Sequence, residues 1–160
     1  MIKVAGIDPG LAATGVGLVQ GYGLNIANFS YGSIRTSKAQ GIPERLDHIY
    51  TQILSVLRDE TPDLMVLEDV FSLEKYPKSG ILLGKVSGVI LLAARHSDTA
   101  VKEISVREAK QVLSGSGNAD KAQLEKAVRH RLNAVSRIRP YHASDALALA
   151  MVGLFRYPSV

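Results

Sequence analysis

Four residues of this chain have the types and spacing to hold a divalent cation: Asp8, Glu68, His142 and Asp145. Asp8 follows the loosely alternating residues 3–7 and opens the turn Asp8-Pro9-Gly10. Glu68 ends the apolar run Leu64-Met65-Val66-Leu67, which suits a strand buried on both faces. His142 and Asp145 stand three apart at the start of an apolar segment, so on a helix they share a face. Three carboxylates and an imidazole form the oxygen-rich donor set that magnesium or manganese takes. A carboxylate at the end of an apolar strand gives up hydration, and a bound cation offsets that loss. Each residue alone has a plainer reading: an Asx turn for Asp8, a strand-end surface acid for Glu68, a helix-start residue for His142. The chemical reading rests on the four together.

The elements that must position them are legible in outline. Residues 3–7, 14–19 and 24–34 read as three strands, with Gly21-Tyr22-Gly23 predicting a hairpin between the last two. Pro43 opens a helix with Leu46, Ile49, Tyr50, Ile53, Leu54 and Leu57 on one stripe, and Thr61-Pro62-Asp63 stops it. Residues 81–95 form a second helix, apolar on most sides, with Gly84 and Gly88 four apart. Those glycines allow either a close contact with a second copy of the chain or a close seat on the sheet. Lys85 and a length of about four turns argue against a membrane helix. Residues 100–104 make the last strand, Ser105 caps a helix through Leu113, and residues 114–118 form a loop. Asp120 caps a helix with Leu124, Ala127, Val128 and Leu132 on one face, and Pro140 precedes a final helix at 142–155. A meander extended by βαβ crossovers gives an α/β fold, a mixed five-stranded sheet flanked by helices. This is the ribonuclease H-like arrangement. In it the first and fourth strands lie side by side and bring Asp8 and Glu68 to one edge.

Composition narrows the class of function. A chain of 160 residues is most simply one domain, here 1–160. It has no cysteine, which excludes a disulfide scaffold, a thiolate zinc site and a cysteine nucleophile, and is compatible with a cytoplasmic address. Asp8 comes too early for a signal peptide, and the long uncharged stretch 9–34 is broken by glycines, so neither secretion nor a membrane is expected. Charge is uneven: residues 1–80 carry −2 and residues 81–160 carry +6, which together make the net +4. Between residues 102 and 139, 9 basic residues face 4 acidic ones. A basic half beside an acidic one suggests a polyanionic partner next to a cation site, although charge alone suits a merely solvated surface equally well.

Several segments in series resemble one family. Ile7-Asp8-Pro9-Gly10 followed by Thr14-Gly15-Val16-Gly17 is similar to the opening of the RuvC-type Holliday junction resolvases. Ile34-Arg35-Thr36, Glu68-Asp69-Val70-Phe71, Ala109-Lys110-Gln111, the stretch Gly115-Ser116-Gly117-Asn118-Ala119-Asp120-Lys121, and His142-Ala143-Ser144-Asp145-Ala146-Leu147-Ala148 continue the resemblance in order. It implies that Asp8, Glu68, His142 and Asp145 are the metal-binding catalytic set. It also implies that Phe71 stacks at the branch point of a junction, and that Lys110 and Lys121 contact DNA near the cleaved phosphate.

The implied activity is cleavage of four-way DNA junctions by a homodimer using two magnesium ions, with manganese able to substitute. The products would carry a 5′ phosphate and a 3′ hydroxyl, and the branch-migration proteins RuvA and RuvB would be partners. Three features depart from the family pattern: His142 stands where Asp is frequent, residues 72–79 differ and run about one residue longer, and Leu83-Gly84-Lys85-Val86-Ser87-Gly88 lacks an Arg. Other readings fit less well. The Asp8-Pro9-Gly10 turn also resembles the phosphate loop of actin-like ATPases, which need two such domains. Gly80-x-x-x-Gly84-Lys85 is one residue short of a P-loop. A ribosomal-RNA-processing relative fits the 68–71 segment less closely. The alternative from another class is a catalytically inactive junction-binding protein.

Overall fold

The computed structural model describes residues 1–70 and 77–157. The meander consists of β1 (Ile2–Asp8), β2 (Ala13–Tyr22) and β3 (Asn25–Arg35). It is followed by α1 (Ile42–Glu60), β4 (Leu64–Glu68), α2 (Pro77–His96) and β5 (Val101–Ile104). Three helices complete the chain: α3 (Val106–Ser114), α4 (Lys121–Arg131) and α5 (Tyr141–Arg156). The sheet order is β3-β2-β1-β4-β5, with β1 antiparallel to β2 and parallel to β4. The expected ribonuclease H-like sheet is therefore present, and the acids that end β1 and β4 are neighbours.

Burial divides the interior into two layers. Ala5, Ile7, Met65 and Leu67 face α1 and α2, where Ile49, Ile53 and Leu57 of the predicted stripe are buried. Val4, Leu64 and Val66 face α5, whose residues 143–154 are all buried. Because a strand alternates its faces, Asp8 continues the Val4 side and Glu68 the Val66 side. Both acids are thus delivered to the layer that holds α5.

The layer is closed by missing side chains. A Cβ on Gly6 would lie 1.9 Å from the carbonyl oxygen of Ala146, one on Gly17 would lie 2.6 Å from the amide of Leu147, and one on Gly15 would lie 2.0 Å from the carbonyl oxygen of His142. Gly6 pairs with Gly17 and Asp8 with Gly15 in the β1–β2 register, so a strip of glycine backbone runs beneath α5 up to the first acid. The helix lies directly on the sheet.

Two expectations need correction. The hairpin turn falls at Gly23-Leu24, not at 21–23: β2 continues through Tyr22, and Gly23 carries the positive φ of +54°. Gly21 remains in the strand beside a register irregularity, and a side chain is excluded there because a Cβ would lie 2.0 Å from the Asn25 carbonyl oxygen. The second helix is also longer than the periodicity of residues 81–95 indicated. Pro77 starts it, as a residue well suited to a first turn, and its 20 residues span about 30 Å. It is long and apolar enough by length and composition to cross a membrane, being longer than the four turns expected. Its Val86, Ile90, Ala93 and Ala94 are nonetheless buried in the core against α1 and the sheet. A Cβ at Gly84 or Gly88 meets nothing within 4 Å, which removes the reading that these glycines let α2 approach the sheet.

Candidate active site

Thr14 shapes the turn that follows β1. Its buried hydroxyl donates to the Gly10 carbonyl at 2.7 Å and closes Asp8-Pro9-Gly10 into a compact corner. From the other side, Arg45 Nε donates to Thr36 Oγ1 at 2.8 Å, and Thr36 donates to the Leu11 carbonyl. Two local devices therefore fix the chain just beyond Asp8, and the Thr14 and Thr36 motifs acquire a structural purpose.

Asp8, Glu68, His142 and Asp145 line one cavity of about 250 Å³, together with Lys110, Lys121, Pro9, Leu83 and Val106. All four candidate ligands and both candidate lysines thus meet in one place. Phe71 lies outside the described residues. Lys110 comes from α3, which begins at the Ser105 cap accepting from the Glu108 amide. Lys121 starts α4, whose Asp120–Gln123 capping box is complete. Sequence reasoning missed Pro9, Leu83 and Val106 as wall residues. Leu83 belongs to the motif Leu83-Gly84-Lys85-Val86-Ser87-Gly88, whose glycines and missing Arg give no sign that its first residue lines the cavity.

The electrostatics are those of crowded acids. His142 Nδ1 lies 2.8 Å from Asp8 Oδ2. That hydrogen bond is the main cause of a raised imidazole pKa, while burial opposes it. Glu68 is pushed up to about 9, first by burial, then by its hydrogen bond with Asp8 and the charges of Asp8 and Asp145, with Lys110 opposing. Asp145 is raised to about 6 by burial and then by the charge of Asp8, with Lys121 opposing. Its Oδ1 is buried without a hydrogen-bond partner. Among the described residues no three of these groups are drawn together as a formed metal cage. Asp8 and His142 are instead bonded to each other.

A stability prediction follows from these shifts. A carboxyl whose folded pKa exceeds its unfolded value holds its proton more tightly when folded, so stability falls as pH rises between the two values. For Glu68 that window runs from 4.5 to about 9. Without divalent cations, the melting temperature should decline across it. Glu68→Gln should raise the melting temperature at pH 8 by roughly 3–10 °C, corresponding to about 1–3 kcal/mol in a chain of this size. Scanning calorimetry in chelator checks this, and superimposable pH profiles for the two proteins would refute it.

Comparison with known proteins places this geometry. The family model described as crossover junction endodeoxyribonuclease RuvC matches residues 4–153. The protein of that description from Caldicellulosiruptor saccharolyticus is 34% identical over 160 residues, 99% of this chain and 96% of the relative. That from Thermosipho melanesiensis is 36% identical over 149 residues, 93% of this chain and 94% of the relative. Among solved structures, Thermus thermophilus RuvC in complex with Holliday junction substrate superposes with a TM-score of 0.91 at 30% identity, covering 99% of this chain and 96% of the other. The yeast mitochondrial Holliday junction resolvase Ydc2 shares the fold, with a TM-score of 0.61 at 12% identity over 97% of this chain and 78% of the other.

Proposed function

The chain belongs to the RuvC family of crossover junction endodeoxyribonucleases, and from that premise we propose that it is a cytoplasmic, metal-dependent nuclease, one domain over residues 1–160, that resolves four-way DNA junctions by paired phosphodiester cleavage in recombination and repair. The observation that carries this reading is the single cavity lined by three acids, an imidazole and two lysines.

The residues fit a divalent cation. Burial and the neighbouring Asp8 raise the proton affinity of both Glu68 and Asp145, and Asp145 keeps a buried oxygen unpartnered. Asp8, Glu68, His142 and Asp145 would hold two magnesium or manganese ions. Such ions, when bound, activate water and stabilise the leaving oxygen of a phosphodiester. The chain's own residues prepare that state. Asp8, bonded to His142 and coupled by charge to both other acids, is the residue best placed to be shared between two ions. The imidazole must lose its proton before it can ligate, so acid conditions oppose metal loading. Lys110 and Lys121 offset the charge of an incoming phosphate, and Leu83 and Val106 limit water around it. Phe71 is the proposed aromatic at the branch point, and RuvA and RuvB are the branch-migration partners that the family implies.

A near-twofold junction cut twice calls for two active sites, hence a homodimer. The outer face of α2 supports this. Ile81, Leu82, Leu91 and Leu92 are exposed there beside Gly84 and Gly88, which leave open space. Leu92→Glu should shift sedimentation from dimer toward monomer without changing the far-ultraviolet circular dichroism, and an unchanged sedimentation coefficient would rule out this face. The whole reading is tested on a synthetic mobile junction, with and without magnesium. Paired nicks that need the metal support it, and binding without cutting under any divalent ion leaves only a junction-binding protein.

A further inference from the structure

Glu125 is an acid with no place in the cavity. It lies on α4 and is only 3% exposed. Its Oε1 accepts the backbone N–H of the fully buried Ile138 at 3.0 Å and the Nε–H of Arg129 at 3.0 Å. Packing alone does not call for an acid at this position, because an apolar side chain of similar length would fill the space without the cost of desolvating a charge. The contact has a structural meaning instead. Residues 135–137 are exposed, and the segment then turns inward at Ile138 before α5 begins. Pro140, the N-cap of α5, makes no side-chain cap bond. Its carbonyl receives the amides of Ala143 and Ser144, within α5 itself. The lead-in to α5 is therefore held from outside, by Glu125.

The same helix carries Lys121 one turn earlier, on the same face as Glu125. One end of α4 thus presents a lysine to the cavity, while the next turn grips the chain four residues before His142.

We propose that Glu125 is a positioning residue whose buried carboxylate ties the entry of α5 to α4, setting His142 and Asp145 in register with Lys121. This deepens the reading given under the proposed function and rests on it. Losing the acceptor would leave the Ile138 N–H buried and unpaired, a state that relaxes by movement of the segment. The acids would then be misplaced relative to the lysine, although every group that touches DNA remains.

Two variants separate this role from general packing. Glu125→Gln keeps a carbonyl oxygen to accept both N–H groups, and Glu125→Met keeps the length but not the acceptor. Each is compared with the parent by hydrogen exchange of the Ile138 amide, by junction affinity and by single-turnover cutting at saturating protein with magnesium. The expected result is slow exchange at Ile138 in the parent and the Gln variant, and at least tenfold faster exchange in the Met variant. Cutting by the Met variant should fall tenfold or more while its affinity stays within threefold, and the Gln variant should cut within threefold of the parent. A Met variant that cuts within threefold of the parent overturns the proposal. So does a parent in which Ile138 exchanges as fast as the exposed Val135, a result that decides the matter even if the Met variant does not fold. A parent that binds junctions without cutting them overturns the functional reading instead, and the Ile138 exchange then still judges the tether.

Discussion

Asp8→Asn abolishes junction cutting in our expectation, by at least about a hundredfold to a thousandfold, the scale on which one electrostatic group at a reacting centre is felt. Asp8 is buried at the end of β1, bonds His142 at 2.8 Å and contributes to the raised proton affinity of Glu68 and Asp145. Asparagine preserves the volume but removes the charge that couples the other three. The same change should leave junction binding equal or tighter, because one negative charge leaves a cavity that must accept phosphate. Single-turnover cutting and a gel-shift titration on one synthetic junction measure both halves. A variant that still cuts at more than a few per cent of the parent rate would remove Asp8 from the centre of the set.

Gly15→Ala should damage both stability and chemistry through a single methyl group. The added Cβ would lie 2.0 Å from the carbonyl oxygen of His142 and 2.4 Å from its carbonyl carbon, both backbone atoms that no rotamer change can move. Either α5 lifts from the sheet or β2 buckles. Overpacking of this kind costs about 3 kcal/mol, or roughly 6–12 °C of melting temperature for this chain length. The folded fraction should also cut more than tenfold more slowly, since His142 and Asp145 move away from Asp8 and Glu68. Gly32→Ala is the control: its Cβ meets nothing within 4 Å, so stability should change by less than about 1 kcal/mol. Equal melting temperatures for the two variants would show that α5 does not depend on the glycine strip.

The order of elements and the acids at their ends were legible because burial and turn chemistry act locally. The apolar run 64–67, of strand length and bounded by Pro62-Asp63 and Glu68, suits an interior strand, and Ser105 and Asp120 cap helices as their types favour. The neighbouring placement of Asp8 and Glu68 followed from topology alone. Other features depend on partners distant in sequence. The start of α2 at Pro77 was hidden because its first turn, Pro77-Lys78-Ser79-Gly80, carries no apolar periodicity. The wall residues Pro9, Leu83 and Val106 come from three separate elements, and no spacing relates them. That Lys110 and Lys121 converge depended on the resemblance, since the loop between them hides their geometry. Glu125 reads as an ordinary surface acid on a basic helix until Ile138, thirteen residues on, is seen to need its oxygen. The glycines of β2 look like punctuation in a strand, and only the seated helix shows that they are clearances.

Those clearances leave the cavity with an anvil and a jaw. The anvil is α5, seated so closely on the sheet that a Cβ at Gly6, Gly15 or Gly17 would collide with its backbone, and so densely packed that it has little room to shift. The jaw is α3 and α4, which bury only Ala109 and Leu113 on one helix and Leu124, Glu125 and Val128 on the other. The acids sit on the unyielding side and the lysines on the shallowly rooted one. Because Glu125 ties α4 to the entry of α5, accommodation to junctions of different arm angle is expected of α3 and its Lys110, with the acids keeping their spacing. Substitutions on the outer face of α3 are therefore expected to alter selectivity while the acids stay in place.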